Sequence, residues 1–243
     1  KIKRVHILVF GLAIALGALP FREKFRRPVV AAIQLLQPKA TVEGRIAEYE
    51  PSVKSRLAPA FKQIRTDYPP ARIVLAGFKH ERRIEVWIAP SDTAPLRLLK
   101  TYPLLGASGT LGPKLKEGDM QVPEGVYQVE SLHPNSLFHL ALRVDYPNAY
   151  DRAKGSQDGR RNLGSDIMIH GKTSSMGCLA VGDEAIEEIF ILAARTGVEN
   201  ISIILSPVDF RHKRLPESMP PLPDWSNELY RTIEAALMQL VQH

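Results

Sequence analysis

Between residues 72 and 206 the chain is cut into short apolar runs of β type, each ended by glycine, proline or polar turn residues, and this punctuation limits the fold more than any other feature. Arg72–Phe78 and Arg83–Ala89 are rich in apolar and β-branched residues with a polar turn at 78–81, which predicts a hairpin. Residues 96–102, 125–130, 137–144, 166–170 and 200–205 read as further strands. Residues 104–123 hold Gly106, Gly109, Gly112, Pro113, Gly118 and Pro123, and residues 145–163 hold another turn-rich stretch, so both are expected to be long loops. Loops of that length in a compact domain usually carry function. One stretch breaks the β pattern: Ile186, Ile189, Phe190 and Ala193 recur at helical spacing, with Asp183 placed to cap the helix and Gly197 after its end. The span is therefore a mostly β domain with one packed helix.

The flanks differ. Ile46, Val53, Leu57, Phe61 and Ile64 recur at helical spacing, but Pro51 and Pro59 are expected to split the run into one or two short helices. After a proline-rich link at 216–223, Trp225, Leu229, Ile233, Leu237 and Leu240 form the stripe of a C-terminal amphipathic helix, expected to pack on the domain, with a partner or membrane surface as the alternative. The net charge of +6 lies wholly in residues 1–27, where seven basic residues meet one acidic residue; the rest of the chain balances at 25 of each sign. That asymmetry points to a membrane surface and away from nucleic acid. Residues 7–19 carry no charge and lie between two basic clusters, the layout of a signal peptide or signal anchor. The expected division is a signal segment at 1–21, a linker with short helices at 22–70, the β domain at 71–208, and the link and helix at 209–243. An exported protein of the cell envelope or periplasm, held at the inner membrane through its N-terminus, follows as the expectation.

Cys178 is the only cysteine, eight residues after His170. A lone thiol forms no internal disulfide; it is either an inert buried side chain or a nucleophile. Asp166, Met168 and His170 share one face of a strand and Ile167 and Ile169 the other, so with the isoleucines on the core His170 faces the opposite side. Cys178 lies too far before Asp183 for the helix N-terminus to lower its pKa, which leaves His170 as its activator. No metal-ligand spacing or phosphate cradle occurs, and no metal or cofactor is expected.

Ile169-His-Gly171 followed by Ser175-Met-Gly-Cys178 resembles the signature of the L,D-transpeptidase (YkuD-type) family. The likeness extends through Gly112-Pro-Lys114, Glu117-Gly-Asp119, Pro123-Glu-Gly-Val-Tyr127, Phe138-His-Leu140 and Tyr146-Pro-Asn148 to Asp183 and Ile186-Glu-Glu188. It covers roughly residues 72–206 and is nearest to the YafK-like branch, with its short interval between His and Cys. Met176 stands where many members carry a second histidine, so substrate contacts of that residue do not carry over.

The resemblance implies a curved sheet or sandwich with the helix after Cys178 on its side. It implies a peptidoglycan-modifying enzyme in which Cys178 attacks a stem-peptide amide to form a thioester, with His170 as base and the Gly171 carbonyl orienting the imidazole. The backbone N–H groups of Met176, Gly177 and Cys178 would form the oxyanion hole. His139 and Arg143 on one strand face, and Ser175 in the turn, are candidates for substrate binding, with Arg152, Lys154, Arg160 and Arg161 as solvated loop charges. Stem peptides and, through the N-terminal segment, a membrane are the expected partners; nothing in the chain names a protein partner. A hydrolase of the same fold acting on stem-peptide or protein-to-peptidoglycan amides, and an idle wall-binding scaffold, are the alternatives.

Overall fold

Strands β1 (Arg72–Phe78) and β2 (Arg83–Ala89) are each buried at six of seven positions, which is why they read as nearly continuous apolar runs: both of their faces are covered. The computed structural model describes residues 39–241. The remaining strands are β3 (Arg97–Pro103), β4 (Gly106–Ala107), β5 (Gly125–Ser136), β6 (His139–Val144), β7 (Met168–His170), β8 (Leu179–Ala180) and β9 (Ile201–Ser206). Among the described residues they form one nine-stranded mixed sheet in the order β3-β2-β1-β9-β5-β6-β7-β8-β4. β1–β9 and β7–β8 are the parallel pairs. β5 joins two halves: Gly125–Gln128 pair with β9, and Val129–Ser136 pair with β6 across two register shifts. Such bulges bend a strand and increase its twist. The protein is mostly β with packed helices.

Ile73, Leu75, Ile84, Val86 and Ile88 face one core, with residues of helices α1 (Val42–Ile64) and α3 (Asp183–Thr196). Val74, Ala76, Phe78 and Trp87 face a second core, under α4 (Ser226–Met238). The C-terminal stripe thus packs on the sheet through Trp225, Leu229, Ile233, Leu237 and Leu240. Each such aliphatic side chain contributes about 1.5–3 kcal/mol when buried.

Three expectations change. The two prolines do not break α1, which runs for 23 residues. Its buried stripe is Val53, Leu57 and Phe61, while Pro51 and Pro59 are exposed, as are Ala47 and Ser55, whose carbonyls lose their partners. Water satisfies those carbonyls, so the lost hydrogen bonds cost little. The loop at 145–163 contains a helix, α2 (Ala149–Gln157), started by a capping box between Asn148 and Asp151. Asp183 is not the N-cap of α3; Gly182 holds that place at φ 87°. The Asp183 carboxylate instead accepts the Lys172 N–H at 2.8 Å, closing the turn after His170. The basic N-terminal segment lies outside the described residues.

Two polar hubs fix elements around this frame. Glu188 on α3 is fully buried and binds Arg56 of α1 at 2.8 Å, Lys100 at 2.7 Å and the Tyr102 hydroxyl at 2.5 Å. Glu124 accepts the Tyr230 hydroxyl of α4 and the Gly112 N–H, and pairs with Lys79 at 2.9 Å. The second hub ties the long loop at 104–123 to the C-terminal helix.

Candidate active site

His170 ends β7 opposite Ala180 of β8, in a parallel register that also sets Ile169 beside Leu179. Cys178 stands two residues before Ala180, so by strand parity it lies on the face of His170, one strand over. Strand spacing and rise put the two Cα atoms roughly 8 Å apart, near enough for the side chains to converge. Ile169 and Leu179 point to the core, as strand alternation requires.

The imidazole is buried, 2% exposed, and its Nδ1 lies 2.6 Å from the Gly171 carbonyl oxygen. A carbonyl only accepts, so Nδ1 carries the proton and Nε2 presents its lone pair. Gly171 is needed for space: a Cβ there would stand 2.6 Å from Asp183 Oδ1 and 2.7 Å from the Phe138 carbonyl oxygen. Burial holds the His170 pKa below the ordinary histidine value, against the opposing pull of the Gly171 bond.

Cys178 is half-buried, and its thiol faces the Asp166 carbonyl oxygen at 3.6 Å. Burial also pushes the thiol pKa up, and the Asp166 charge adds to this, while a backbone contact at Met168 and the Lys114 charge oppose it. Both groups of the pair therefore rest neutral. The chain reaches Cys178 through Gly177 at φ 86°, a left-handed conformation that favours glycine.

The amides of this turn are already engaged. The Gly177 N–H donates to Ser108 Oγ at 2.6 Å and the Cys178 N–H to Ser175 Oγ at 3.0 Å. Ser175 Oγ in turn donates to the Cys178 carbonyl at 2.5 Å, so Ser175 braces the turn on both sides of the cysteine. The expected oxyanion hole of Met176, Gly177 and Cys178 is thus not standing open: two of its three donors are satisfied by hydroxyls, since an unpaired buried amide is costly. Met176 is 77% exposed at the rim.

His139 and Arg143 are turned to other partners. His139 adopts φ 77°, its Nε2 lies 3.0 Å from Glu187 of α3, and its ring meets the edge of Tyr49 of α1. The reversed backbone exchanges the sides expected for Phe138 and His139, and Phe138 instead stacks on the His170 ring, centroids 4.5 Å apart at 36°. Arg143 bridges Glu130 and Asp166, the latter at 2.8 Å. Of the loop cations, Arg160 binds Asp158 and the Leu115 carbonyl, Lys154 binds Glu228, and Arg152 donates to the Pro147 carbonyl.

Sequence reasoning missed Phe138 and Ser108. Regular alternation hid the first, and a positive φ outside glycine leaves no signal in composition. Ser108 sits in the loop marked as functional by its length, and its hydroxyl also donates to the Met120 carbonyl at 2.7 Å. Lys114 and Asp119 shape that loop: the Asp119 carboxylate accepts the Lys114 ammonium and the N–H groups of Leu115, Lys116 and Gln121.

The chain is 35% identical over 167 residues to "Putative L,D-transpeptidase YafK" of Escherichia coli (strain K12), a match that takes in 68% of this chain and 63% of that protein. The chain thus spans less than two thirds of the curated relative. Among solved structures, the helical cell shape determining protein Pgp2 from Campylobacter jejuni aligns at 16% identity with a TM-score of 0.46, over 62% of this chain and 55% of that one. L,D-transpeptidase 1 of Mycobacterium tuberculosis aligns at 14% identity with a TM-score of 0.31, over 56% and 62%. Residues 92–201 match the model of the YkuD L,D-transpeptidase catalytic domain.

Proposed function

We propose that this protein is a cell-wall cysteine acyltransferase that opens a stem-peptide amide of peptidoglycan through a thioester on Cys178. The observation that carries the reading is a half-buried thiol at the entry to β8, the strand next to the one that ends in a buried imidazole whose Nδ1 is held by the Gly171 carbonyl, in a stretch that matches an L,D-transpeptidase domain.

The pair starts neutral. Rotation of the Cys178 side chain away from the Asp166 carbonyl brings the S–H to Nε2 of His170. Nε2 takes the proton as Sγ bonds to the amide carbon, and the carbonyl π pair moves onto oxygen. That oxygen displaces Ser108 or Ser175 from the Gly177 or Cys178 N–H and takes over the donor. When the intermediate collapses, the C–N bond breaks, the proton on Nε2 passes to the leaving amine, and the thioester remains. An incoming amine then repeats the sequence in reverse and yields a new amide; water in its place yields the acid. A wall substrate places the enzyme outside the cytoplasmic membrane, and the basic–apolar–basic segment at 1–27 is its export signal or anchor within this proposal.

Two measurements test it. The protein is incubated with a disaccharide tetrapeptide, with and without an amine acceptor, beside a Cys178→Ala control, and products are read by mass. Acceptor-linked product is expected; tripeptide alone, whether or not the amine is present, would assign a hydrolase. No product above the control, together with no acyl mass on Cys178 after a carbapenem, sinks the enzyme reading. Cys178→Ala is expected to lose at least about 10³-fold in kcat. Because His170 works as neutral base and its pKa is depressed, kcat/KM is expected to hold through weakly acidic pH and fall only below the ordinary histidine value near 6.5.

A further inference from the structure

We propose that Phe138 is a positioning residue that roofs His170, keeping water off the imidazole so that it rests as a neutral base. The inference rests on the assignment of His170 as the base. Phe138 and Leu137 form the tip between β5 and β6, where Leu137 is 92% and Phe138 37% exposed. Phe138 is thus a large apolar ring spent on the surface, yet its inner face lies against a histidine that is itself 2% exposed. On the neighbouring strand Ala141 is the register partner of His170, a side chain too small to cover a ring. The aromatic face arrives because His139 takes φ 77°, which turns Phe138 toward His170 and sends the His139 ring to Glu187. The Phe138 carbonyl also stands so close to Gly171 that only glycine fits there. One hairpin tip therefore sets both the cover of the imidazole and the place of the carbonyl that orients it.

The charged and titratable groups around His170 are otherwise occupied. Asp183 accepts the Lys172 N–H beside Gly171, Glu187 on α3 faces His139 and Arg56, and Asp166, two residues before β7, faces Arg143. Lys172 is exposed, and the Cys178 thiol is turned to the Asp166 carbonyl. Burial is accordingly the leading cause that holds the His170 pKa down, and Phe138 is the removable part of that burial.

The test follows the titration of the His170 ring nitrogens by NMR in the full chain, which needs no turnover. Phe138→Ala is expected to move the His170 midpoint up toward the ordinary histidine value, with the Phe138→Leu variant, which keeps an apolar cover, between it and the parent. The acid limb of Cys178 alkylation by iodoacetamide should move in the same direction, and kcat at pH 6 should fall by up to about fourfold with KM nearly constant. An alanine variant that titrates with the parent overturns the proposal, as does a leucine variant that moves as far as alanine. If no stem peptide is turned over at all while the ring titration still shifts, the roof stands and the substrate reading falls. If turnover persists and the titration does not move, the roof falls alone.

Discussion

The two halves of the sheet are held by different forces. In β3, β2, β1 and β9 the strands are six or seven residues long, and β1 has helices over both faces. In the half that carries Cys178 and His170, β7 has three residues and β8 and β4 two each. Turns there are fixed by side chains on backbone: Asp119 on three amides, Asp183 on the Lys172 amide, Ser108 and Ser175 on the amides of the cysteine turn. Met120, His139, Asp166 and Lys172, four residues other than glycine with positive φ, cluster around this half. Such conformations persist only where the surroundings over-determine them. Apolar burial, pinned at one edge by the Glu188 hub, supplies the stability of the first half, and a dense set of local polar bonds shapes the second. Changes in the first should therefore move stability and spare the thiol, while changes in the second should move the thiol more than stability.

The largest stability effect is expected at Glu188. Removing its charge by Glu188→Gln leaves Arg56 and Lys100 facing a neutral amide where α1, β3 and α3 meet. Breaking a buried pair costs about 3–5 kcal/mol. Arg56 and Lys100 are 27% and 35% exposed and can recruit water, so the low end, about 3 kcal/mol, is expected. For a chain of this size that lowers Tm by roughly 6–12 °C. Iodoacetamide alkylation of Cys178 below the transition should keep its rate; a rate that falls along with Tm would erase the distinction between the halves.

What was legible in the sequence follows the same division. Apolar runs declare long buried strands, so β1, β2 and β9 could be read directly, and the helical spacing of Ile186, Ile189, Phe190 and Ala193 declared α3. The parity that sets His170 opposite Ile167 and Ile169 could also be read, because it depends only on the two-residue period. The features set by tertiary surroundings were harder. Pro51 and Pro59 obscured α1, since their tolerance depends on which side of the helix meets water. The Asn148–Asp151 capping box went unnoticed inside a stretch read as loop. The positive φ at His139, which brings Phe138 over the imidazole, arises from hairpin closure and has no periodic signature. The role of Asp183 depended on whether its carboxylate reaches forward to its own helix or back to Lys172, a tertiary choice.

Asp151 lies where the halves meet and offers an intermediate effect with a pH signature. Burial raises its carboxyl pKa to about 6, against the opposing bonds from the Asn148 N–H and the Tyr127 hydroxyl. A raised folded-state pKa means that the favourable contribution is fully present below the unfolded value near 3.8 and is lost as pH rises through 6. Above that the charged, half-buried group is a burden that Asp151→Asn removes, while the amide oxygen can still accept the Asn148 N–H. The variant should match the parent near pH 4 and exceed it at pH 8 by at most about 2 kcal/mol, after allowance for water at a half-buried site. Denaturant titrations at the two pH values measure this; equal differences at both would mean that the carboxylate is already comfortable.

The smallest stability change with the clearest chemical consequence is expected at Ser175. Its hydroxyl accepts the Cys178 N–H and donates to the Cys178 carbonyl, so Ser175→Ala removes two bonds in a turn that water can reach. The loss should be about 1 kcal/mol, because solvent replaces both partners. The kinetic result distinguishes two parts for the hydroxyl. If it only occupied an amide reserved for the oxyanion, the alanine variant would free that donor and acylate faster. If it holds both backbone groups of the nucleophile, the alanine variant lets Sγ wander, and acylation by a carbapenem should slow roughly tenfold. The two bonds on either side of Cys178 favour the brace, and Ser175→Thr, which keeps the hydroxyl, should restore most of the rate. A faster alanine variant would show instead that the cysteine turn resembles the apolar half in being self-supporting, with its serines serving only as placeholders for substrate.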